Sequence, residues 1–290
     1  MQKKVVVIAD IGWAIGKVHR EVFKRIPNCT VTYYNSAAFM LADFLRDLQD
    51  ADACLTTTNL HGDILNFVHD KSLHPKFLFV AHGAGEIHNV EYSPVFKYGV
   101  VSDVLLPKML THVKSVYVIP NGVDPTLYTY RERSGSLKIV GWAGAPSLKI
   151  KQFHMFHPIV DGAGLAGKTT VKQIPVDKMN EWYADVDILL VLSGPDESVE
   201  TGPLPAFEAI VCGIPVIGTS VGNFKSIPGP KFSTVEEGIS LLEELKKDPE
   251  RVRDIAKQQY EAVMTRWSYD VTARLWEEAL FGKNEVNGNP

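Results

Sequence analysis

Long apolar runs are missing from this 290-residue sequence. No stretch approaches the ~18–20 uninterrupted apolar residues of a membrane-spanning helix, so none is expected. Cysteine is scarce: Cys29, Cys54 and Cys212 lie far apart, with no CxxC pair. Neither a disulfide framework nor a cysteine zinc site is expected, and a reducing cytoplasm is the expected compartment. An excess of one charge is also missing. Lysine and arginine total 30 against 34 acidic residues, a net charge of −4 with the signs interspersed. No basic field therefore makes nucleic acid an obligatory partner. The opening MQKKVVVIAD has only a short apolar run and no small-residue cleavage site, so it reads as a first core strand, not a signal peptide. Repeats and low-complexity tracts are absent from the sequence.

What remains is an ordinary globular composition, 45% apolar and 22% charged. At ~100–200 residues per domain, the length suggests two domains or one large α/β unit. The first half alternates β-rich runs (KKVVVIAD, CTVTYY, DACLTT, KFLFVAH, GVVS, SVYVIP) with helix candidates at Ile15–Arg25, Ala37–Leu48 and Asp63–His69. Strands apolar on both faces and separated by helices imply a parallel sheet covered on both sides. Turn-rich segments at Pro120–Pro125 and Arg131–Ser136 interrupt the pattern. It then restarts with LKIVGWA, a helix near Lys149, TTVKQI, a helix over Asp177–Tyr183, VDILLVL, a helix over Pro203–Cys212, and IPVIGT. After Thr234 the pattern is purely helical, over Val235–Lys246, Glu250–Thr265 and Asp270–Leu280. The expected organisation is a Rossmann-like domain over 1–130, a second over 136–265, and a C-terminal helix with polar tail over 266–290. Ligands of such sheets bind outside the carboxyl ends of the strands, so the cleft between two facing sheets is the expected site.

Two glycine motifs are weighed against that frame. Gly162 to Thr169 matches the P-loop spacing, but a helix-like segment precedes it and a strand follows. A phosphate-cradling loop needs strand, loop and helix in that order, so this one reads as a helix-to-strand connection. The opening loop has the right order, and Gly12 is a candidate for close approach of a diphosphate. No complete dinucleotide fingerprint accompanies it, which makes a dehydrogenase the weakest reading. His154 and His157 stand three apart with no partner carboxylate at recognisable spacing, and no metal site is assigned to them.

The densest signal follows VDILLVL. A Gly/Pro/Asp/Ser loop leads to Glu200, Thr201, Gly202 and Pro203, a helix start, with Glu208 inside the helix and Gly213-Ile-Pro215 after it. A helix N-terminus offers unpaired amides to an anion, while carboxylates suit the vicinal hydroxyls of a sugar or ribose. Glu200 and Glu208 with the seven residues between them resemble the E-x7-E signature of retaining nucleotide-sugar glycosyltransferases of the large family four. Val116–Asp124, the KIVGWAG run and Trp267–Asp270 extend that resemblance.

The resemblance implies a GT-B fold, an α/β architecture with two Rossmann-like parallel-sheet domains facing a cleft. It implies retaining transfer from a UDP- or GDP-sugar, the nucleotide sugar being a substrate and no cofactor being needed. A helix N-terminus with Lys149 and Lys151 can stabilise the leaving phosphate without metal, so metal-independent transfer is expected. Glu208 would hold the donor ribose and Glu200 the hydroxyls of the transferred sugar. Gly202, with its neighbours Thr201 and Pro203, would meet sugar or phosphate. Lys149 and Lys151 are the diphosphate candidates, although Gln152 stands where the family has glycine and no arginine is present. Lys172, Gln173 and Ile174 would lie beside the base, and His82 near the outer hydroxyls of the sugar. The acceptor stays open between saccharide, lipid, protein and modified nucleic acid. A GT-B-type sugar-nucleotide epimerase and a non-catalytic nucleotide-sugar binding module are the alternatives.

Overall fold

The computed structural model describes residues 2–9, 14–36, 38–88, 92–170, 175–194 and 200–282. The chain divides into two compact units, Met1–Asn121 with Tyr269–Pro290, and Gly122–Ser268. The sequence pattern places this boundary at 130–136 and sets 266–290 apart from both domains. The division follows packing instead: the last helix returns to the first unit, a contact that its own amphipathic pattern does not reveal.

In the first unit, strands β1 (Lys3–Ala9), β2 (Cys29–Asn35), β3 (Ala53–Thr57), β4 (Phe77–Ala81), β5 (Lys97–Val100) and β6 (Tyr117–Val118) form one sheet in the order β2-β1-β3-β4-β5-β6. Every pairing is parallel, in register from Lys3 opposite Cys29 to Gly99 opposite Tyr117. The helices are α1 (Ala14–Phe23), α2 (Leu41–Asp50), α3 (His61–Phe67) and α4 (Leu106–Leu110). On one face Val6, Ile8, Cys54, Phe77 and Phe79 meet Phe44 and Leu48 of α2 and Ile64 of α3. Alternate residues of the same strands are buried as well, which is why these strands read as continuous apolar runs. Helix α2 starts four residues later than its apolar pattern suggests, at Leu41.

The second unit holds β7 (Ile139–Ala143), β8 (Ala166–Thr170), β9 (Ile188–Val191) and β10 (Val216–Gly218), ordered β10-β9-β7-β8 and all parallel. Its helices are α5 (Phe156–Gly162), α6 (Val176–Ala184), α7 (Leu204–Val211), α8 (Val235–Lys247) and α9 (Pro249–Arg266). Strand β9 shows how a two-sided strand builds two cores. Leu189 and Val191 pack with Tyr183 of α6 and Phe207 of α7, while Ile188 and Leu190 pack with Trp142, Phe156 of α5 and Leu242 of α8.

The edge at β10 is closed by a side chain. Gln259 of α9, fully buried, accepts from the Val216 N–H at 2.8 Å and donates to the Val216 carbonyl at 2.7 Å. Its amide thereby takes the place of a further strand. Helix α8 begins at a capping box formed by Thr234 and Glu237. Helix α10 (Tyr269–Phe281) packs on α1, β3 and β4 of the first unit. Among the described residues no helix is long and apolar enough to cross a membrane.

Candidate active site

Strands β7, β9 and β10 are neighbours in the second sheet, and the residues after their carboxyl ends come together. After β7 the chain forms two short 3-10 turns, Lys149–Lys151 and Phe153–Met155, separated by Gln152 in the left-handed region (φ 41°). The helix proper begins only at Phe156, later than the expected start near Lys149. After β9, the Gly194 N–H donates to the Ile150 carbonyl at 2.7 Å and ties the two loops together.

Across that tie, the Lys151 ammonium pairs with Oε2 of Glu200. The Ser193 hydroxyl donates to the same oxygen at 3.3 Å. Glu200 is buried, its side chain 8% exposed against 23% for Lys151. A buried carboxylate is tolerated when a cation and a hydroxyl satisfy it. Thr219, just past β10, fixes Ser193: its Oγ1 accepts from the Ser193 N–H at 2.9 Å and donates to the Ser193 carbonyl at 2.6 Å. A small cavity of about 20 Å³, room for one water, lies beside Lys151, Ser193, Pro203 and Trp142.

The backbone of Glu200 and Thr201 is held from below by Gly222. Its φ is +44°, and a Cβ there would stand 2.3 Å from the Thr201 carbonyl oxygen and 2.7 Å from that of Glu200. Only glycine fits that approach. The Asn223 N–H donates to the Thr201 carbonyl at 2.8 Å. Gly202 faces Asn223, and Pro203 takes the N-cap position of α7 rather than its first turn.

Glu208 sits elsewhere. It lies within α7, half-buried, and accepts from the Tyr183 hydroxyl at 3.0 Å and from Tyr128. Burial pushes its carboxyl above the usual range, and the two phenol hydroxyls oppose that rise. Burial, together with the nearby carboxylate, raises the Tyr183 phenol well above its ordinary value. The two acids of the spaced pair thus occupy different settings, one facing a lysine and one facing two tyrosines.

The other expected site residues are distributed as follows. Lys149 is exposed and makes no ion pair among the described residues, so only Lys151 reaches Glu200. Gly12, Lys172, Gln173 and Ile174 lie outside the described residues. His82 belongs to the first unit, directly after β4, and is buried. Its backbone N–H donates to Oε2 of Glu86 at 3.1 Å, an oxygen that also accepts from the Thr58 hydroxyl at 3.4 Å. Burial lowers the His82 imidazole to about 4, so it is neutral at pH 7. Lys168, the lysine of the P-loop look-alike, lies within β8 and pairs with Asp185 at 2.7 Å. The strand there begins at Ala166, upstream of the expected Thr169, and runs to Thr170, so the lysine is part of a strand and does not open a helix. Ser193, Thr219, Tyr128, Tyr183 and Glu86 were not singled out from the sequence. Only the polar residue ending each apolar strand run hinted at the first two.

Two α/β units, each built on a parallel sheet, define the GT-B class of fold. Residues 143–278 match the profile of a family described as glycosyl transferase-like. A comparison with curated protein sequences finds no match. Among solved structures, the chain is similar to Anabaena Alr3699/HepE, solved with UDP and glucose. The TM-score is 0.70 at 13% identity, over 96% of this chain and 99% of that one. It is also similar to AviGT4, a glycosyltransferase involved in avilamycin A biosynthesis, with a TM-score of 0.60 and 14% identity over 95% and 96% of the two chains. A third is T4 phage BGT, solved with UDP and Mn2+, with a TM-score of 0.55 and 12% identity over 96% and 99%. At these identities the likeness is one of fold.

Proposed function

We propose that this protein is a glycosyltransferase that moves a sugar from a UDP-sugar to an acceptor hydroxyl, with the donor site in the second unit. The observation that carries the reading is the convergence of Lys151, Glu200 and Ser193 at the carboxyl ends of β7 and β9. A cation beside a carboxylate suits a ligand that brings both phosphate and hydroxyls. The family match over 143–278 spans all three residues, and the HepE and BGT structures hold UDP.

In this reading Lys151 meets the diphosphate, with Lys149 at the rim, and the amides around Thr201 and Gly202 ahead of Pro203 add donors. Glu200 accepts from the hydroxyls of the transferred sugar and Glu208 from the ribose. Lys172–Ile174 flank the base, Gly12 approaches phosphate, and His82 meets the outer sugar hydroxyls. Transfer proceeds with retention. The bond from the anomeric carbon to the β-phosphate oxygen breaks with its electrons going to the phosphate. The acceptor oxygen bonds to the same face of the anomeric carbon, and its proton passes to the departing phosphate. Stabilising negative charge on that phosphate is the main demand, and a lysine with backbone amides meets it without a metal ion.

The test is a panel of UDP- and GDP-sugars assayed for nucleotide release with and without EDTA, the anomeric configuration of the product being read by NMR. UDP release unaffected by EDTA, with retained configuration, is the expected result. Loss of activity in EDTA restored by manganese would overturn the metal-independent step, and an inverted product the front-side step. Failure to bind or turn over any nucleotide sugar would overturn the function. Turnover of the donor to an epimer without any acceptor would assign the epimerase reading instead.

A further inference from the structure

Glu200 Oε2 serves two donors, the Lys151 ammonium and the Ser193 hydroxyl, while Oε1 accepts no hydrogen bond among the described residues. The two donors differ in freedom. Lys151 is on a short turn, with a long side chain that remains partly exposed. Ser193 is 2% exposed, and both its N–H and its carbonyl are bound to one hydroxyl, that of Thr219. Thr219 is itself buried at 6% exposure and also lies 3.3 Å from the Val191 carbonyl, so the ends of β9 and β10 form one rigid seam.

A diphosphate arriving at Lys151 competes with Glu200 for the same ammonium. Carboxylate and phosphate repel each other at close range, so the lysine cannot hold both closely without cost. When Lys151 turns toward phosphate, the Ser193 hydroxyl is the partner left to Glu200 among the described residues. We propose that Ser193, clamped by Thr219, is a positioning residue that keeps the Glu200 carboxylate aimed at the sugar hydroxyls while Lys151 passes from Glu200 to the donor diphosphate. This inference rests on the donor reading above. It assigns the Lys151–Glu200 pair to the empty site and the Ser193–Glu200 bond to both states.

Two consequences separate this exchange from a fixed ion pair. Opening the pair opposes diphosphate binding, so neutralising Glu200 frees Lys151 and strengthens UDP binding. Removing the Ser193 hydroxyl leaves UDP binding alone but lets the carboxylate wander in the loaded site. The experiment titrates UDP calorimetrically into the wild-type protein, Glu200→Gln, Ser193→Ala and Ser193→Thr. It then measures kcat and KM with the nucleotide sugar that the wild-type protein hydrolyses fastest, with thermal melts as a folding control.

Glu200→Gln is expected to bind UDP on the order of fivefold more tightly, the scale of a partly exposed ion pair opened on binding. Ser193→Ala is expected to keep UDP affinity within about twofold and to lose about tenfold or more in kcat, the scale of one hydrogen bond to a charged group. Ser193→Thr keeps the hydroxyl and is expected to recover most of that loss. Thr219→Val, which releases the clamp, is expected to follow Ser193→Ala. Wild-type kcat in a folded Ser193→Ala protein overturns the inference, as does weaker UDP binding in Glu200→Gln. Equal loss in the Ala and Thr variants also overturns it. A wild-type protein that binds no UDP removes the donor reading and this inference together, whereas UDP binding with an unaffected Ser193→Ala removes the inference alone.

Discussion

Acid should unfold the first unit through a histidine. His19 on α1 is 2% exposed, with the Trp276 ring of α10 edge-on at 5.1 Å and the His82 ring at 5.9 Å. Among the described residues neither of its ring nitrogens has a hydrogen-bond partner. Burial first, and then the nearby His82, lower its imidazole from 6.5 to about 3. A base whose folded pKa lies below its unfolded value binds more protons when unfolded. The folded state therefore keeps its full stability above pH 6.5 and loses it progressively as pH falls toward 3. The gap between 6.5 and about 3, at about 1.36 kcal/mol per pH unit, is worth about 4–5 kcal/mol once complete, of which about 2 kcal/mol is lost by pH 5. His82 adds a loss in the same direction, but the two rings repel each other when charged, so the two losses are not additive. Glu86, raised by burial, works the other way: protonation as pH falls relieves its buried charge. Urea unfolding from pH 7.5 to 4.5 reads the slope. His19→Leu should flatten it by about one proton and leave stability at pH 7 unchanged or higher, since two unpartnered nitrogens leave the core. Parallel pH profiles for the wild-type and His19→Leu proteins would refute this account.

Three further outcomes are expected. Lys168→Ala should lower the melting temperature slightly and leave nucleotide-sugar turnover as it was, because the side chain spans β8 and α6 to pair with Asp185; lost nucleotide binding in that variant would restore the P-loop reading. Glu208→Ala removes one of two acceptors of the buried Tyr183 hydroxyl, which keeps the Pro205 carbonyl at 3.2 Å, and should cost about 0.5–1.5 kcal/mol in a denaturant melt, whereas Glu208→Gln keeps an acceptor and should melt near the wild type. If Glu208 holds ribose, both variants also raise the donor KM with kcat retained; an unchanged KM would confine it to the two tyrosines. Gly222→Ala forces a methyl group into the Glu200 and Thr201 carbonyls and should abolish turnover before it abolishes folding; wild-type kinetics in that variant would show that the Glu200 backbone is not held as described.

Local pattern determined much of this protein. The two-sided apolar runs specified strands covered on both faces, and the helix-first order around Gly162 to Thr169 excluded a phosphate loop, since both are properties of neighbouring residues. The spacing of Glu200 and Glu208 marked the right helix, but not that the two carboxylates serve different partners. Tertiary structure alone decided that Lys151, and not Lys149, reaches Glu200 across 49 positions of chain, because the 3-10 turn that carries both sets which of the two points inward. It likewise decided that Thr219 clamps Ser193 across 26 positions, and that α10 belongs to the first unit through α1, β3 and β4. Periodicity encodes which face of an element is buried, whereas the identity of the partner depends on how strands order themselves in the sheet. That order, β10-β9-β7-β8, brings the ends of β7, β9 and β10 together, and no local run of residues records it.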